Sequence, residues 1–560
     1  MGSNGFSVRL GILLFFGAVA AQSGCGSDGT VERLLNVFVI RVPGVTISGE
    51  RPAVPDEATS MRVTITGDND PWGKSVEVPL EAGHADIPPF SYGSGRQVTV
   101  EVLADGTVVS RGRTVKRKVL AGDSTLALNV FVSPVNSFSR PYMPAESGSG
   151  ELQPTQVAVF ERFGASATLL KDGRVLIAGG ASPSVAAGGF NGPTDITGLK
   201  GAAEVFDPET GTFSPVGDLN TPRAFHQAVL LDSGKVVIMG GYEAGADGKL
   251  SPSPKVEVFD PGSGTFTPSS NLPGNAGRAL FTAAVADSRS DMIFITGGRT
   301  EPPQASGFWD LYIPGVGAVG HGELRGQGHR WNHTMTYLRG FRSSAGNPGN
   351  PAFVLIGGEN ESGVVDSVEA YVGPVTDDSG HPVMNLDTGS VAQIPGGGRT
   401  LHSAVFVPDQ RIVYVIGGFL DMGLKRPTDR IDIFWEEKGM FDASLSLVVC
   451  PEGGTCSGQA RGAATAVLMD GNAILIAGGI GESGQALAST EIVMETVQQG
   501  PDGPYYTPVV VTDRTPSLPV PRFGHVALFD ATRRVFMLGG LRDSSSPVPQ
   551  PDSVVFYNPE

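Results

Sequence analysis

The chain has 560 residues and a mass of 58.1 kDa, with 78 Gly, 42 Pro and only 17% charged residues. That composition describes many short strands and tight turns, in a chain long enough for several domains or a repeat array. A net charge of −17 and a pI near 5.0 exclude a nucleic-acid partner, which needs a cationic footprint, and exclude electrostatic docking on anionic lipid.

At the N-terminus, Leu10 to Ala21 form an apolar run of 12 residues behind a single cation, Arg9. A bilayer span needs about 20 residues, so this run predicts an export signal. Gln22-Ser23-Gly24-Cys25-Gly26-Ser27 follows. It resembles the lipobox of bacterial lipoproteins, with Gln22 standing where that family usually has an aliphatic residue. The resemblance implies a signal peptide over 1–25 and lipidation at Cys25. The protein would then sit in the bacterial cell envelope, outer membrane or periplasm, reaching the membrane through its lipid alone. The alternative is cleavage after Ala20, in the frame Ala18-Val19-Ala20, and a free secreted protein.

Residues 31–135 carry strand-like runs, among them LLNVFVI, MRVTITG, RQVTVEVLA and STLALNVFV, parted by turns such as Asp105-Gly106. About 100 residues of this kind predict an immunoglobulin-like β-sandwich, without the Trp and disulfide that mark antibody domains. The loop Gly67–Ser75 resembles a P-loop but spaces its glycines by five residues instead of four, and it joins two strands. Asp68, Asn69 and Asp70 in it offer oxygens to a calcium ion. Residues 136–151, VNSFSRPYMPAESGSG, read as a linker.

From 152 to 560 the chain repeats. Gly-Gly doublets begin at 179, 240, 297, 357, 417, 478 and 539, each after an unbroken apolar run such as RVLIAGG or RIVYVIGG. Such runs are strands buried on both faces. An Arg precedes each doublet: Arg162, Arg223, Arg278, Arg330, Arg399, Arg461 and Arg522. His226, His333, His402 and His525 stand three residues after four of them. An acid follows each of the first six doublets: Glu204, Glu257, Asp310, Glu369, Asp432 and Glu491. VFDPETGTF and VFDPGSGTF add a turn and a fourth strand. Four strands, a to d, repeated seven times without helical segments, predict an all-β fold built on a seven-bladed β-propeller. These doublets and aromatics resemble the kelch family, and the resemblance implies the kelch or galactose oxidase type of propeller.

The last repeat runs out after strand c, at VVFYN. The spare strand Thr155–Phe160 is the expected closing partner, because an unpaired apolar edge is an aggregation hazard.

Arg and acid recur in nearly every repeat, which is the habit of a structural device; the repeated His reads likewise as a packing residue. His321, His329 and His333 lie close enough in sequence for zinc, but no Cys or carboxylate is spaced to complete the set. GVGAVG at 315–320 lacks the strand and helix a dinucleotide site requires. Cys450 and Cys456 flank a Gly-Gly turn and predict a hairpin disulfide. The resemblance to galactose oxidase raises a copper site of two His, two Tyr and a cross-linked Cys, for which no Tyr-His dipeptide exists here. No cofactor is expected.

What remains is a binding module, with long b–c loops that differ in every repeat (181–201, 242–254, 299–308, 359–365, 419–429, 480–488 and 541–551). Tyr242, Arg299, Glu359 and Phe419 follow their doublets directly and are expected on the ligand-facing rim, with Trp331 nearby. The expectation is a non-enzymatic platform for a protein or glycan ligand. The alternative is a carbohydrate-active enzyme (epimerase, lyase or oxidase) using the central pocket.

Overall fold

The computed structural model describes residues 13–14 and 34–560, except 42–43, 47–48, 81–92, 120–124, 145–151, 155–161, 184–195, 246, 302–303, 325–327, 343–347, 378, 387–391, 450–456, 501–502, 512–514, 544–545 and 549–551. The described residues form strands, turns and short 3-10 segments, with no α-helix.

Seven principal antiparallel sheets follow one another from residue 166. The first is typical, with Ser166–Leu169, Val175–Ala178, Ala203–Asp207 and Thr212–Pro215 as its strands a to d. Strand b is buried along its length in sheet after sheet: Val175–Ala178, Val236–Met239, Met292–Thr296, Ile412–Ile416, Ile474–Ala477 and Val535–Leu538. Each is a central strand between two neighbours, with a further sheet packed on either face, so its apolar run needs no polar alternation. Strand a is half-buried. It contacts strand a of the next sheet, and strand a of the seventh sheet contacts strand a of the first. The sheets therefore close into a propeller around a central channel.

The Gly-Gly doublets sit where strand b meets the next sheet. Gly179 and Gly180 have φ of 63° and 100°, and a Cβ on Gly179 would stand 2.5 Å from the Arg223 carbonyl oxygen. Both the left-handed backbone and the close approach require glycine.

Closure differs from the sequence expectation. Val554–Asn558 is strand c of the seventh sheet, and its outer side is taken by Ser137–Ser139, with Phe138 opposite Tyr557. Residues 155–160 lie outside the described residues. The stretch expected as a linker thus contains a strand, and Gly44–Thr46 and Gly49–Arg51 continue the same sheet beyond it. Phe138 is fully buried against Val535, Met537, Val555 and Tyr557, and burying one such ring contributes about 1.5–3 kcal/mol.

Before the propeller, the strands lie in the order 34–41, 125–134, 107–113, 93–104, 60–67 and 70–79. Met61, Val63, Ile65, Val98, Val100, Val102, Val130 and Val132 form its core. Alternation along Ser60–Gly67 puts every second residue inside.

This domain packs against the propeller. It meets the a–b and c–d turns of the first and seventh sheets. Val115 N–H and Arg117 both donate to Glu209, and Gln97 Nε2 donates to the Ala531 carbonyl. Asn558 Nδ2 donates to the Ser133 and Arg111 carbonyls at 2.8 and 3.0 Å. The opposite face of the propeller, carrying the b–c and d–a loops, lies on the other side of the ring from these contacts.

Candidate functional site

The repeated polar residues form a belt. Arg162 reaches Glu204 at 2.9 Å, Arg223 reaches Glu257 at 2.7 Å and Arg278 reaches Asp310 at 2.5 Å. Arg330 pairs with Glu369, Arg399 with Asp432 and Arg461 with Glu491. Arg522 has no such acid and donates instead to the Asp552 carbonyl at 2.6 Å. Nearly all these guanidiniums also donate to the first doublet glycine of their own sheet, as Arg162 does to Gly179 O at 2.8 Å and Arg461 to Gly478 O at 2.9 Å.

The backbone carbonyl of each Arg from Arg223 to Arg522 in turn accepts from the second glycine of the preceding sheet, as Arg223 O does from Gly180 N–H and Arg522 O from Gly479 N–H. One residue thus ties strands a, b and c of its own sheet and the neighbouring sheet. Burial holds Arg162, Arg223, Arg330, Arg399 and Arg461 below the usual arginine pKa, against the pull of their carboxylates; burial takes Arg522, which has only the charge of Asp552 to oppose it, down to about 10.

The four His are buried between sheets. His226 Nε2 is hydrogen-bonded to Ser166 Oγ at 2.8 Å, His402 Nε2 to Thr334 Oγ1 at 3.0 Å and His525 Nε2 to Thr465 Oγ1 at 2.7 Å. His333 Nε2 meets both Thr282 and Thr296. Each His therefore answers a hydroxyl that begins strand a of the sheet before it. Where that position is Gln227 or Val526, the next sheet carries Phe281 or Ala165 instead of His. Burial, then the nearby Arg, pushes His226, His402 and His525 down to about 3 and His333 well below its usual value, so all four are neutral.

The mouth on the loop face is built differently. The second residue after each Arg adopts a left-handed backbone: Gly164, Phe225, Leu280, Asn332, Leu401, Ala463 and Gly524, with φ between 50° and 68°. Phe225 N–H donates to Gly164 O, Asn332 N–H to Leu280 O, Ala463 N–H to Leu401 O and Gly524 N–H to Ala463 O. This ring of turns narrows the channel. Side chains other than Gly, Asn and Asp seldom adopt this backbone, and it persists only where the surroundings impose it. Just outside the ring, the residue after each doublet bridges the residue after each Arg, as in Ala224↔Tyr242, Ala279↔Arg299, Trp331↔Glu359 and Thr400↔Phe419.

These bridges correct the rim expectation. Tyr242, Trp331, Glu359 and Phe419 are drawn inward by the pairing and are buried; only Arg299 remains half-exposed. Phe419 packs with Phe163, Ile480, Phe523 and Leu541 in an apolar arc. Tyr242 and Trp331 share a second cluster with Leu280, and Phe225 lies against both clusters.

Into that second cluster the chain sets groups that occur once. Among the seven positions after the doublets, only Arg299 and Glu359 are charged; the others are Ala181, Tyr242, Phe419, Ile480 and Leu541. Trp331 Nε1–H and Asn332 Nδ2 both donate to Glu359 Oε1, at 2.7 and 2.9 Å. The Arg299 guanidinium lies 5.7 Å over the Trp331 ring. Burial raises the pKa of Glu359 and of Tyr242. Asn332, the only polar side chain of the left-handed ring, was not singled out from sequence; Gly at 164 and 524, aligned with it, was the available signal.

Other candidates resolve simply. Asp68 pairs with Lys116, and Asp70 Oδ1 accepts from Gly73 N–H within its own turn. His321 Nδ1 meets Asp310 at 2.6 Å, while His333 lies buried between sheets. No group of three or more metal-ligating side chains is present among the described residues. GVGAVG lies in a c–d hairpin of the third sheet. Cys25, Cys450 and Cys456 lie outside the described residues.

No protein-family model matches the chain, and no curated protein matches it. Among solved structures it is similar to one titled "Structure of YjhT", at TM-score 0.41 and 13% identity over 63% of this chain and 99% of that one. A fungal alcohol oxidase of the AA5 family, in complex with copper, gives TM-score 0.44 and 16% identity over 71% of this chain and 75% of that one. At these scores the likeness carries nothing about function, and the propeller rests on its own sheets.

Proposed function

We propose that this chain is an exported, lipid-anchored protein of the bacterial cell envelope, a kelch-type propeller that holds a protein or glycan ligand at its loop-face mouth. One observation carries the reading: the repeat is broken at the mouth by Arg299, Trp331, Asn332 and Glu359, which meet in space. A structural device recurs in each sheet, whereas a recognition site is needed once. The N-terminal domain on the opposite face supports the same reading, because it leaves the mouth open. A ligand screen on a glycan array and an envelope-extract pull-down, each repeated with Glu359→Gln and Leu401→Asp, tests it. Capture that both variants leave unchanged refutes the mouth as the site.

Lipidation at Cys25 is part of the proposal. Cys25→Ala is expected to release the protein from the membrane fraction, and unchanged partitioning removes the anchor.

A second reading, a carbohydrate-active enzyme, is favoured by the raised pKa of buried Glu359, since perturbed carboxyls gather at catalytic sites. Turnover of a sugar abolished by Glu359→Gln, with binding retained, would select it.

A further inference from the structure

Arg299 is a cation without a carboxylate partner among the described residues. Its guanidinium lies on the Trp331 face and against the Tyr242 hydroxyl, half-exposed at the mouth. The ring face and the hydroxyl hold the guanidinium at the mouth, where its fork of donors suits a planar anion. Glu359 feels its charge but is committed to Trp331 and Asn332. Glu301 also stands close by. Carboxylates near the one cation disfavour a phosphate dianion most.

Beside Arg299 the floor is apolar. Phe225 is half-buried against Leu280, Tyr242 and Trp331, and Leu401 is half-buried farther round the same left-handed ring. The only polar side chain of that ring, Asn332, already donates to Glu359. A polyhydroxylated ligand needs a polar partner for each buried hydroxyl, and this floor offers few. An apolar side chain next to a carboxylate matches it.

We propose that the mouth captures the free C-terminus of a polypeptide ending in an apolar residue, its carboxylate on Arg299 and its last side chain over Phe225, Leu280 and Leu401. This rests on the mouth being the binding site and chooses the protein ligand over the glycan. Terminal carboxylates are recognised in this way when a fixed donor stands beside an apolar pocket.

The test uses the full chain and a pool of N-acetylated tetrapeptides ending in Leu, Ile, Val or Phe, each made as the free acid and as the amide. Titration calorimetry is expected to show the acids binding and the amides about tenfold weaker or worse. Arg299→Gln should abolish the acid–amide difference without moving the melting temperature, and Arg299→Lys should restore part of it. Equal binding of acids and amides, weakened alike by Leu401→Asp, overturns carboxylate capture and leaves the mouth standing as a site. So does preference for a uronic-acid oligosaccharide over every peptide. Failure of all peptides overturns the capture as well, and if Leu401→Asp also leaves array and pull-down capture unchanged, the mouth falls with it.

Discussion

On one face of the propeller, the a–b and c–d turns of the first and seventh sheets are covered by the N-terminal domain, largely through hydrogen bonds to backbone carbonyls and to Glu209. On the other, the loops surround a mouth whose residues at Arg299, Asn332 and Glu359 have no counterparts in the remaining repeats. Between the two runs the belt of Arg, acid and doublet, the same in sheet after sheet. Repetition therefore marks what holds the ring, and departure from it marks what the ring presents. The difference can be tested from both sides, because changes to belt and closure should act on stability and changes at the mouth on binding.

The largest effect is expected from closure. Deleting residues 31–144 removes Ser137–Ser139 and the two strands beyond it from the seventh sheet. The melting temperature should then fall by more than about 10 °C, whereas Phe138→Ala alone costs about 3–5 kcal/mol as a large-to-small change in the core. If the truncated chain melts as the whole one does, the domain is a mere passenger.

Next comes the belt. Arg461→Met leaves Glu491 buried without its cation, at a cost of about 3–5 kcal/mol. Arg522→Met strands only carbonyls, Gly539 and Asp552, and should cost about 1–3 kcal/mol. Denaturant melts of the two variants rank them, and equal losses would mean that the acids contribute nothing particular.

A smaller effect belongs to the hairpin in which Val448 pairs with Gly458 and Val449 with Ser457. Cys450 and Cys456 come between those strands in sequence and lie outside the described residues, and their disulfide is an expectation from sequence. A disulfide there closes a short loop and contributes about 2 kcal/mol in the chain-entropy model. A non-reduced digest in which both thiols alkylate freely would rule it out.

The smallest effect is a slope. His226, His402 and His525 have folded pKa values of about 3, and burial holds His333 well below its usual value, against about 6.5 when unfolded. Between those limits the unfolded chain binds more protons, so stability falls as pH drops below about 6.5 and keeps falling toward 3. Each His adds about 1.4 kcal/mol per pH unit to that slope. His402→Gln should lower the slope at pH 5 by about that amount, and an unchanged slope would place the proton uptake elsewhere.

Much of the scaffold was legible because its demands are local and recurrent. The doublets require glycine, strand b requires an unbroken apolar run, and the Arg keeps nearly constant spacing. Closure was misplaced because Ser-Phe-Ser at 137–139 is too short to show alternation and lies among Ser and Pro, where Thr155–Phe160 offered Val at alternate positions. The mouth escaped for a different reason. Phe225, Leu280 and Leu401 are poor choices for a left-handed backbone, and only the surrounding ring imposes it. Trp331 and Glu359 were noticed, but as exposed loop residues, since sequence does not tell that a single bridge would turn both inward.

The pairing of Ser137–Ser139 with Val554–Asn558 also has a bearing on how the protein is made. Tyr557 and its hydrogen-bond partner Asn136 are separated by 421 residues. A ribosome adding about 5–20 residues per second takes tens of seconds to travel that distance. Throughout that interval the side of Ser137–Ser139 that meets Val554–Asn558 has no mate, and the growing stack of sheets ends in a bare edge. An exported chain would pass this interval unfolded or half-assembled, in the keeping of whatever chaperones escort it, and the ring would lock only when its last strand arrived beside one of its first.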